Sequence, residues 1–75
     1  MTIGEAIKDA RKRAGITQVE LADRIGMKQP NVSEYEADRK DPGADLIHRI
    51  ANATGFAPVP VAEGWALVDL SAFNS

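Results

Sequence analysis

Apolar residues recur at helical spacing in four short stretches of the first 55 residues, and glycines or polar loops separate these stretches. In the first stretch, Ile3, Ile7 and Ala10 fall on one face. This pattern predicts a helix over residues 2–13, because a glycine follows at the position where helices commonly end. A threonine at the predicted start and a glutamate three residues later form a capping box, which supports that start.

The next two stretches are short and predict two helices of about two turns each. The first of them begins with another capping box and ends at Gly26. The second is predicted to begin near Lys28 and to end before Asp38, with Pro30 in its first turn, where a missing N–H costs nothing. A fourth helix, closed by Gly55, is predicted from one inward face: Leu46, Ile47, Ile50, Ala51 and Thr54.

The composition changes after the fourth helix to two short apolar stretches, FAPVPV and WALVDL. They are predicted to be extended segments that can form a hairpin with Gly64 in the turn. Pro58 and Pro60 exclude the first stretch from a central strand but allow an edge strand. The chain is therefore predicted to be mainly α, with a compact four-helix domain over residues 1–55 and a short C-terminal β or extended segment over residues 56–75.

The second and third helices have the residue spacing of a helix-turn-helix. Two short helices that cross steeply need a small residue at their contact, and Ala22 supplies it, while Gly26 permits the positive φ of the turn. The residues with this spacing are Leu21, Ala22, Gly26, Met27, Val32 and Tyr35. The third helix carries few other apolar residues, so its polar side chains are predicted to face a ligand; the alternative is an ordinary solvated face.

The segment ITQVELADRIGMKQPNVSEYE resembles the helix-turn-helix of the Cro/repressor-type (Xre-type) family of bacterial and phage DNA-binding proteins. The resemblance covers residues 2–55 and lies in the elements T-Q-x-E-L-A, I-G and V-S-x-Y-E. It implies a lambda-repressor-like domain whose third helix enters the major groove, commonly as a dimer on a palindromic site. It also implies that Arg11 and Glu36 form an ion pair. The chain departs from the family at Asp38, where glycine is usual, and after Gly55, where a fifth helix is usual.

The resemblance makes double-stranded DNA the expected partner, and the third helix carries the side chains that can read bases. A side-chain amide can form two hydrogen bonds with adenine, at N6 and N7, and a carboxylate can accept a hydrogen bond from cytosine N4. Base contacts are expected from Lys28, Gln29, Pro30, Asn31 and Glu34. Phosphate contacts, which position the protein without reading sequence, are expected from Thr17, Gln18, Ser33, Arg39 and Lys40.

The tail, residues 56–75, carries more apolar residues than one small four-helix core is expected to bury, so it is predicted to join two copies. The residues assigned to this dimer interface are Phe56, Val59, Val61, Trp65 and Leu67. A homodimer would hold two recognition helices at the separation that a palindromic operator requires, as in a repressor. The alternative is an antitoxin or another protein-interaction module whose C-terminal segment binds a partner protein, such as a toxin.

Composition and residue spacing limit the other functions that this chain can have. The net charge of −2 means that attraction to DNA must come from a local basic surface. The sequence has no cysteine, and His48 has no partner at metal-ligand spacing, so neither a metal nor another cofactor is expected. A nucleophile–base pair and a glycine-rich phosphate loop are both missing, which argues against an enzyme. No apolar run is long enough for a membrane helix, and a cytoplasmic location is expected.

Overall fold

The computed structural model describes residues 1–73. The elements of this part are, in order, α1 (Ile3–Arg13), α2 (Gln18–Ile25), α3 (Gln29–Glu36), α4 (Ala44–Thr54), β1 (Phe56–Val61), β2 (Gly64–Asp69) and a 3₁₀ turn (Leu70–Phe73). The two strands form one antiparallel hairpin. The predicted mainly α class is confirmed, and the helix bounds agree with the prediction to within about one residue.

Both predicted capping boxes are present. In α1, the Thr2 hydroxyl accepts from the N–H of Glu5 at 3.1 Å, and the Glu5 carboxylate accepts from the N–H of Thr2 at 2.8 Å. Thr17 and Glu20 make the same pair of bonds at the start of α2, at 3.1 and 3.0 Å. These bonds to the threonine backbone hold the pKa of each glutamate below its ordinary value of 4.5.

Acidification is therefore expected to weaken the starts of α1 and α2. Because both carboxyl groups have a lower pKa when folded, their stabilisation is fully present above the unfolded pKa and is lost as the pH falls through the folded pKa. Thermal unfolding from about pH 6 down to about pH 3 measures this loss. Glu20→Gln should flatten the pH dependence, and Glu63→Gln, in the exposed hairpin turn, serves as the control. If the melting temperature of Glu20→Gln depended on pH as steeply as that of the wild type, the capping role given to Glu20 would be contradicted.

The core lies between the four helices. Its buried cluster consists of Ile7, Ile16, Leu21, Ala22, Ile25, Val32, Leu46 and Ile50. Ala22 is 2% exposed, and Gly26 ends α2 with a φ of 72°, so both residues play the parts predicted for them in the helix-turn-helix. Met27 and Tyr35 pack against the cluster from the α3 side. α2 and α3 thus pack directly against each other through small and medium side chains.

The hairpin belongs to the same core as the helices. β1 lies against α4 and β2 lies against α1. Phe56 is 6% exposed, and Leu67 packs against the helical cluster. The assignment of Phe56 to a dimer interface is therefore wrong, because its side chain is already buried within one protomer. Cutting the chain at residue 55 would therefore remove Phe56 and Leu67 from their contacts with the helices.

Candidate nucleic-acid interface

A buried ion pair connects α1 to the carboxyl end of α3, close to the amino end of α2. Arg11 Nε donates to Glu36 Oε2 at 2.7 Å, and Arg11 Nη2 donates to Glu36 Oε1 at 3.1 Å. A third bond runs from Arg11 Nη1 to the carbonyl of Ile16, in the loop before α2, at 3.0 Å. The two side chains are 11% and 4% exposed. The predicted pairing of Arg11 with Glu36 is confirmed, and it joins α1, the α1–α2 loop and the end of α3.

Two glutamines extend this ion pair to the surface. Gln18 Nε2 donates to Glu36 Oε1 at 3.1 Å, and Gln18 Oε1 accepts from Gln29 Nε2 at 2.7 Å. Gln29 is the first residue of α3. A chain of hydrogen bonds from the buried Glu36 carboxylate through Gln18 thereby fixes the orientation of its side chain. Its carbonyl oxygen and its second amide hydrogen stay available, and this is the pair of groups that can bond N6 and N7 of adenine.

The other residues predicted to contact bases lie on or beside α3. Lys28 and Pro30 are exposed, while Asn31 and Glu34 are partly exposed. Lys40, from the loop after α3, donates to Asn31 Oδ1 at 3.1 Å and lies 3.6 Å from Glu34 Oε2. The ammonium group thus offsets the negative charge of Glu34, which would otherwise repel a phosphate backbone. The structure brings Lys40 into contact with two side chains that were predicted to read bases, a contact that its own predicted phosphate role did not include.

The remaining predicted phosphate contacts surround α3. Thr17 and Arg39 are exposed, and Ser33 and Gln18 are partly exposed. The Thr17 hydroxyl caps α2, so its oxygen is occupied, but its hydrogen can still be donated to an oxygen of a ligand. The backbone of Arg39 stays close to the end of α3, because its N–H donates to the carbonyl of Glu34 at 2.9 Å. The residues predicted to contact DNA thus lie at the start of α2, on α3 and in the segments that flank α3.

The sequence did not reveal how the end of α3 is attached to α1. Asp38 adopts a φ of 61°, which aspartate tolerates better than most residues. In that conformation its Oδ1 accepts from the N–H of Gly4 at 2.9 Å, and its Oδ2 accepts from the hydroxyl of Thr2 at 2.6 Å. Aspartate thus provides a helix cap that the usual glycine could not provide. No local pattern predicts this contact, since the partners are far apart in the chain.

Gly4 also takes part in this attachment, and nothing in the sequence singled it out. A Cβ at this position would lie 2.6 Å from the Tyr35 carbonyl oxygen and 2.7 Å from the Glu36 carbonyl oxygen. The start of α1 can therefore reach the end of α3 only because Gly4 has no side chain. Together with Asp38, Gly4 fixes the carboxyl end of the helix that carries Gln29 at its amino end.

Other kinds of site find no support in the part of the chain that the structure describes. Within residues 1–73, no group of three or more histidine, cysteine, aspartate or glutamate side chains is placed to hold a metal ion. No helix of the same range is both long and apolar enough to span a membrane. His48 is exposed, and its ring meets Trp65 edge-to-face at 5.4 Å between centroids, which is a packing contact.

The chain is similar to known regulators. A helix-turn-helix family model matches residues 7–60. The HTH-type transcriptional regulator ImmR of Bacillus subtilis is 38% identical over 52 residues, which are 69% of this chain and 41% of ImmR. The antitoxin HigA1 of Mycobacterium tuberculosis is 39% identical over 49 residues, which are 65% of this chain and 33% of the antitoxin. The chain thus spans less than half the length of these relatives.

A solved structure has the same fold. The P22 c2 repressor protein, crystallised in complex with a synthetic operator, superposes with a TM-score of 0.66 at 24% sequence identity. The superposition covers 72% of this chain and 82% of the repressor chain. It confirms the lambda-repressor-like helix-turn-helix fold that the sequence predicted.

Proposed function

Because the chain belongs to the Cro/repressor-type (Xre-type) helix-turn-helix family, we propose that it is a sequence-specific DNA-binding regulator of transcription. It acts as a repressor in the cytoplasm, as a homodimer on a palindromic operator, and has no enzymatic role. The α3 helix enters the major groove and reads base edges from its amino end. The relatives named as a transcriptional regulator and as a repressor protein support this proposal.

The observation that carries the proposal is the chain of hydrogen bonds from the buried Arg11–Glu36 pair through Gln18 to Gln29. A solvated glutamine has no need of such support, whereas a base-reading glutamine benefits from a fixed orientation, because less side-chain freedom is then lost on binding. Lys28, Pro30, Asn31 and Glu34 complete the proposed base-reading surface, and the proposed phosphate contacts come from Thr17, Gln18, Ser33, Arg39 and Lys40.

The test begins with selection of binding sites from random oligonucleotides by the purified protein at a stated salt concentration. On the selected operator, Gln29→Ala should cost about 1–3 kcal/mol and relax the preference at one base pair. Arg39→Ala should weaken binding to all sequences alike. It should also reduce the slope of log affinity against log salt concentration by about one, as expected for the loss of one phosphate contact. Asn52→Ala, on the exposed side of α4, is the control. The role given to Gln29 fails if its removal leaves the base preference unchanged.

A second candidate function is that of an antitoxin, which the similarity to HigA1 favours. In this case the tail binds a partner protein such as a toxin, and DNA binding serves to regulate synthesis of the pair. The two functions predict different states of the purified chain. A repressor should be dimeric alone, whereas a tail reserved for a partner should leave the chain monomeric until the partner is added, as size-exclusion chromatography can measure.

A further inference from the structure

The two prolines of β1 decide which of its backbone groups bond to β2. The register places Ala57 opposite Val68 and Val59 opposite Ala66. In an antiparallel pair, opposing residues alternate between those that exchange two hydrogen bonds and those that exchange none. Since Pro58 and Pro60 have no N–H, the bonded pairs are those of Ala57, Val59 and Val61. The N–H groups of these three residues therefore point into the hairpin and are not free for a partner.

The outer edges of the hairpin consequently differ. The outer edge of β1 presents the carbonyls of Pro58 and Pro60 without an N–H beside them, so it cannot complete a regular ladder. The outer edge of β2 presents the N–H and carbonyl groups of Trp65 and Leu67. Within residues 1–73, neither of these N–H groups has a hydrogen-bond partner. β2 is thus the strand whose edge can accept another strand.

The space beside this edge is open. A cleft of about 600 Å³ runs along β2 and is lined on that side by Gly64, Trp65, Ala66 and Leu67. The rest of the lining consists of two carboxylate residues, Asp41 and Glu63, and of the apolar residues Met1, Ile3, Ala6, Pro42, Ile47 and Val61. The cleft therefore lies against a strand with an unpaired edge and has mainly apolar walls, which suits strand addition.

We propose that the β2 edges of two copies of this chain pair antiparallel across a two-fold axis, which makes one four-stranded sheet in the order β1–β2–β2–β1. This inference rests on the homodimer of the proposed function and names the surface that forms it. A strand edge with alternating donors and acceptors is complementary to a second copy of itself in the antiparallel direction. Leu67 lies at the axis, with Trp65 of one copy opposite Asp69 of the other.

Two features favour this register. It leaves Gly64, which has a φ of 133° and adjoins the turn, outside the new ladder. It also keeps the two Asp69 carboxylates away from each other, since like charges opposite one another destabilise a sheet. In this register the side chains of Ala66 and Val68 of opposite copies form non-hydrogen-bonded pairs on the outer face of the sheet.

In the competing arrangement, two copies pack through the outer face of the hairpin, which is the face that points away from the helices. Alternation along the strands places five apolar residues on that face: Ala57, Val59, Val61, Ala66 and Val68. The most exposed of them, Val59 and Val61, are only 38% and 42% exposed. Five such residues, two of them alanines, present much less than the ~800 Å² that each partner of a standard interface buries. The face alone is therefore too small to hold a dimer.

Disulfide trapping tests the edge pairing directly, because the sequence contains no cysteine. Opposing residues of a non-hydrogen-bonded antiparallel pair have Cα atoms about 4.5 Å apart, which suits a disulfide. An equimolar mixture of Ala66→Cys and Val68→Cys chains, oxidised mildly, should yield a covalent species of twice the 8.1 kDa chain mass. Each variant oxidised alone should yield little of it. A Val59→Lys variant, altered on the outer face, should keep its sedimentation as a dimer.

Each outcome decides between arrangements. Efficient cross-linking of Ala66→Cys alone would overturn the register centred on Leu67, and a monomeric Val59→Lys chain would overturn edge pairing in favour of face packing. A wild-type chain that stays monomeric would overturn the inference and leave the edge to a strand of another protein. Selection of an operator is measured separately, so a trapped dimer that selects no DNA sequence would contradict the proposed function and leave the edge pairing intact.

Discussion

Glu36→Gln is expected to destabilise the protein by about 3–5 kcal/mol, because it leaves the buried Arg11 guanidinium without its counter-charge. Arg11 is 9% exposed and has little access to water that could replace the carboxylate. The same carboxylate accepts from Gln18, which in turn orients Gln29. The variant should therefore lose sequence-specific binding even below its melting temperature. Urea unfolding and titration with the selected operator measure the two effects.

An exposed ion pair provides the control for this experiment. Arg49 and Asp45 lie 3.0 Å apart on α4, with side chains that are 54% and 86% exposed. Asp45→Asn should therefore change the stability by no more than about 0.5 kcal/mol. The double variant Arg11→Met with Glu36→Leu should recover much of the lost stability, since apolar residues can replace a buried pair. It should not recover base preference, because Gln18 then has no acceptor; full recovery would refute the orienting role.

Gly4→Ala is expected to destabilise the protein by about 3 kcal/mol, although alanine normally favours a helix over glycine. The added Cβ would meet two backbone carbonyl oxygens at the end of α3 and the Asp38 carboxylate, each at 2.7 Å or less. Backbone at a helix end cannot move aside as a flexible side chain can, so α1 and α3 must separate. For a domain of this size, the melting temperature should fall by about 12 °C or more.

Gly43→Ala is the matched control for Gly4→Ala. Gly43 is the N-cap residue of α4 and has an ordinary φ of −73°, and a Cβ there would meet nothing within 4 Å. Its substitution should therefore cost no more than about 1 kcal/mol, the usual effect of alanine at a helix start. Circular dichroism melts of the two variants compare the costs. Equal melting temperatures would show that the close approach of α1 to α3 has no energetic importance.

Local signals in the sequence were sufficient for the helices and for the helix-turn-helix. The capping threonines, the glycines after α2 and α4, and the proline at the start of α3 each act over a few residues, so their effects can be read without knowing the fold. The Arg11–Glu36 pair was predicted only through the resemblance to a family, because nothing in the spacing of these residues along the chain brings them together.

The tail shows where the sequence was insufficient. Its hairpin was predicted from alternating stretches and a turn glycine, but the side of the sheet that faces the helices was not. The sequence led to the assignment of Phe56 to a dimer interface, whereas in the structure its side chain is buried within one protomer. The count of apolar residues alone could not decide this, because burial depends on how the sheet lies across α1 and α4.

The sequence by itself determined the order and length of the helices, the position of the helix-turn-helix and the polar character of α3, since each of these depends on neighbouring residues. The tertiary structure alone decided that Asp38 caps α1 and that Gly4 must lack a side chain. These features join residues far apart in the chain. Their energies depend on distances of 3–4 Å between elements, and such distances exist only once the elements have packed.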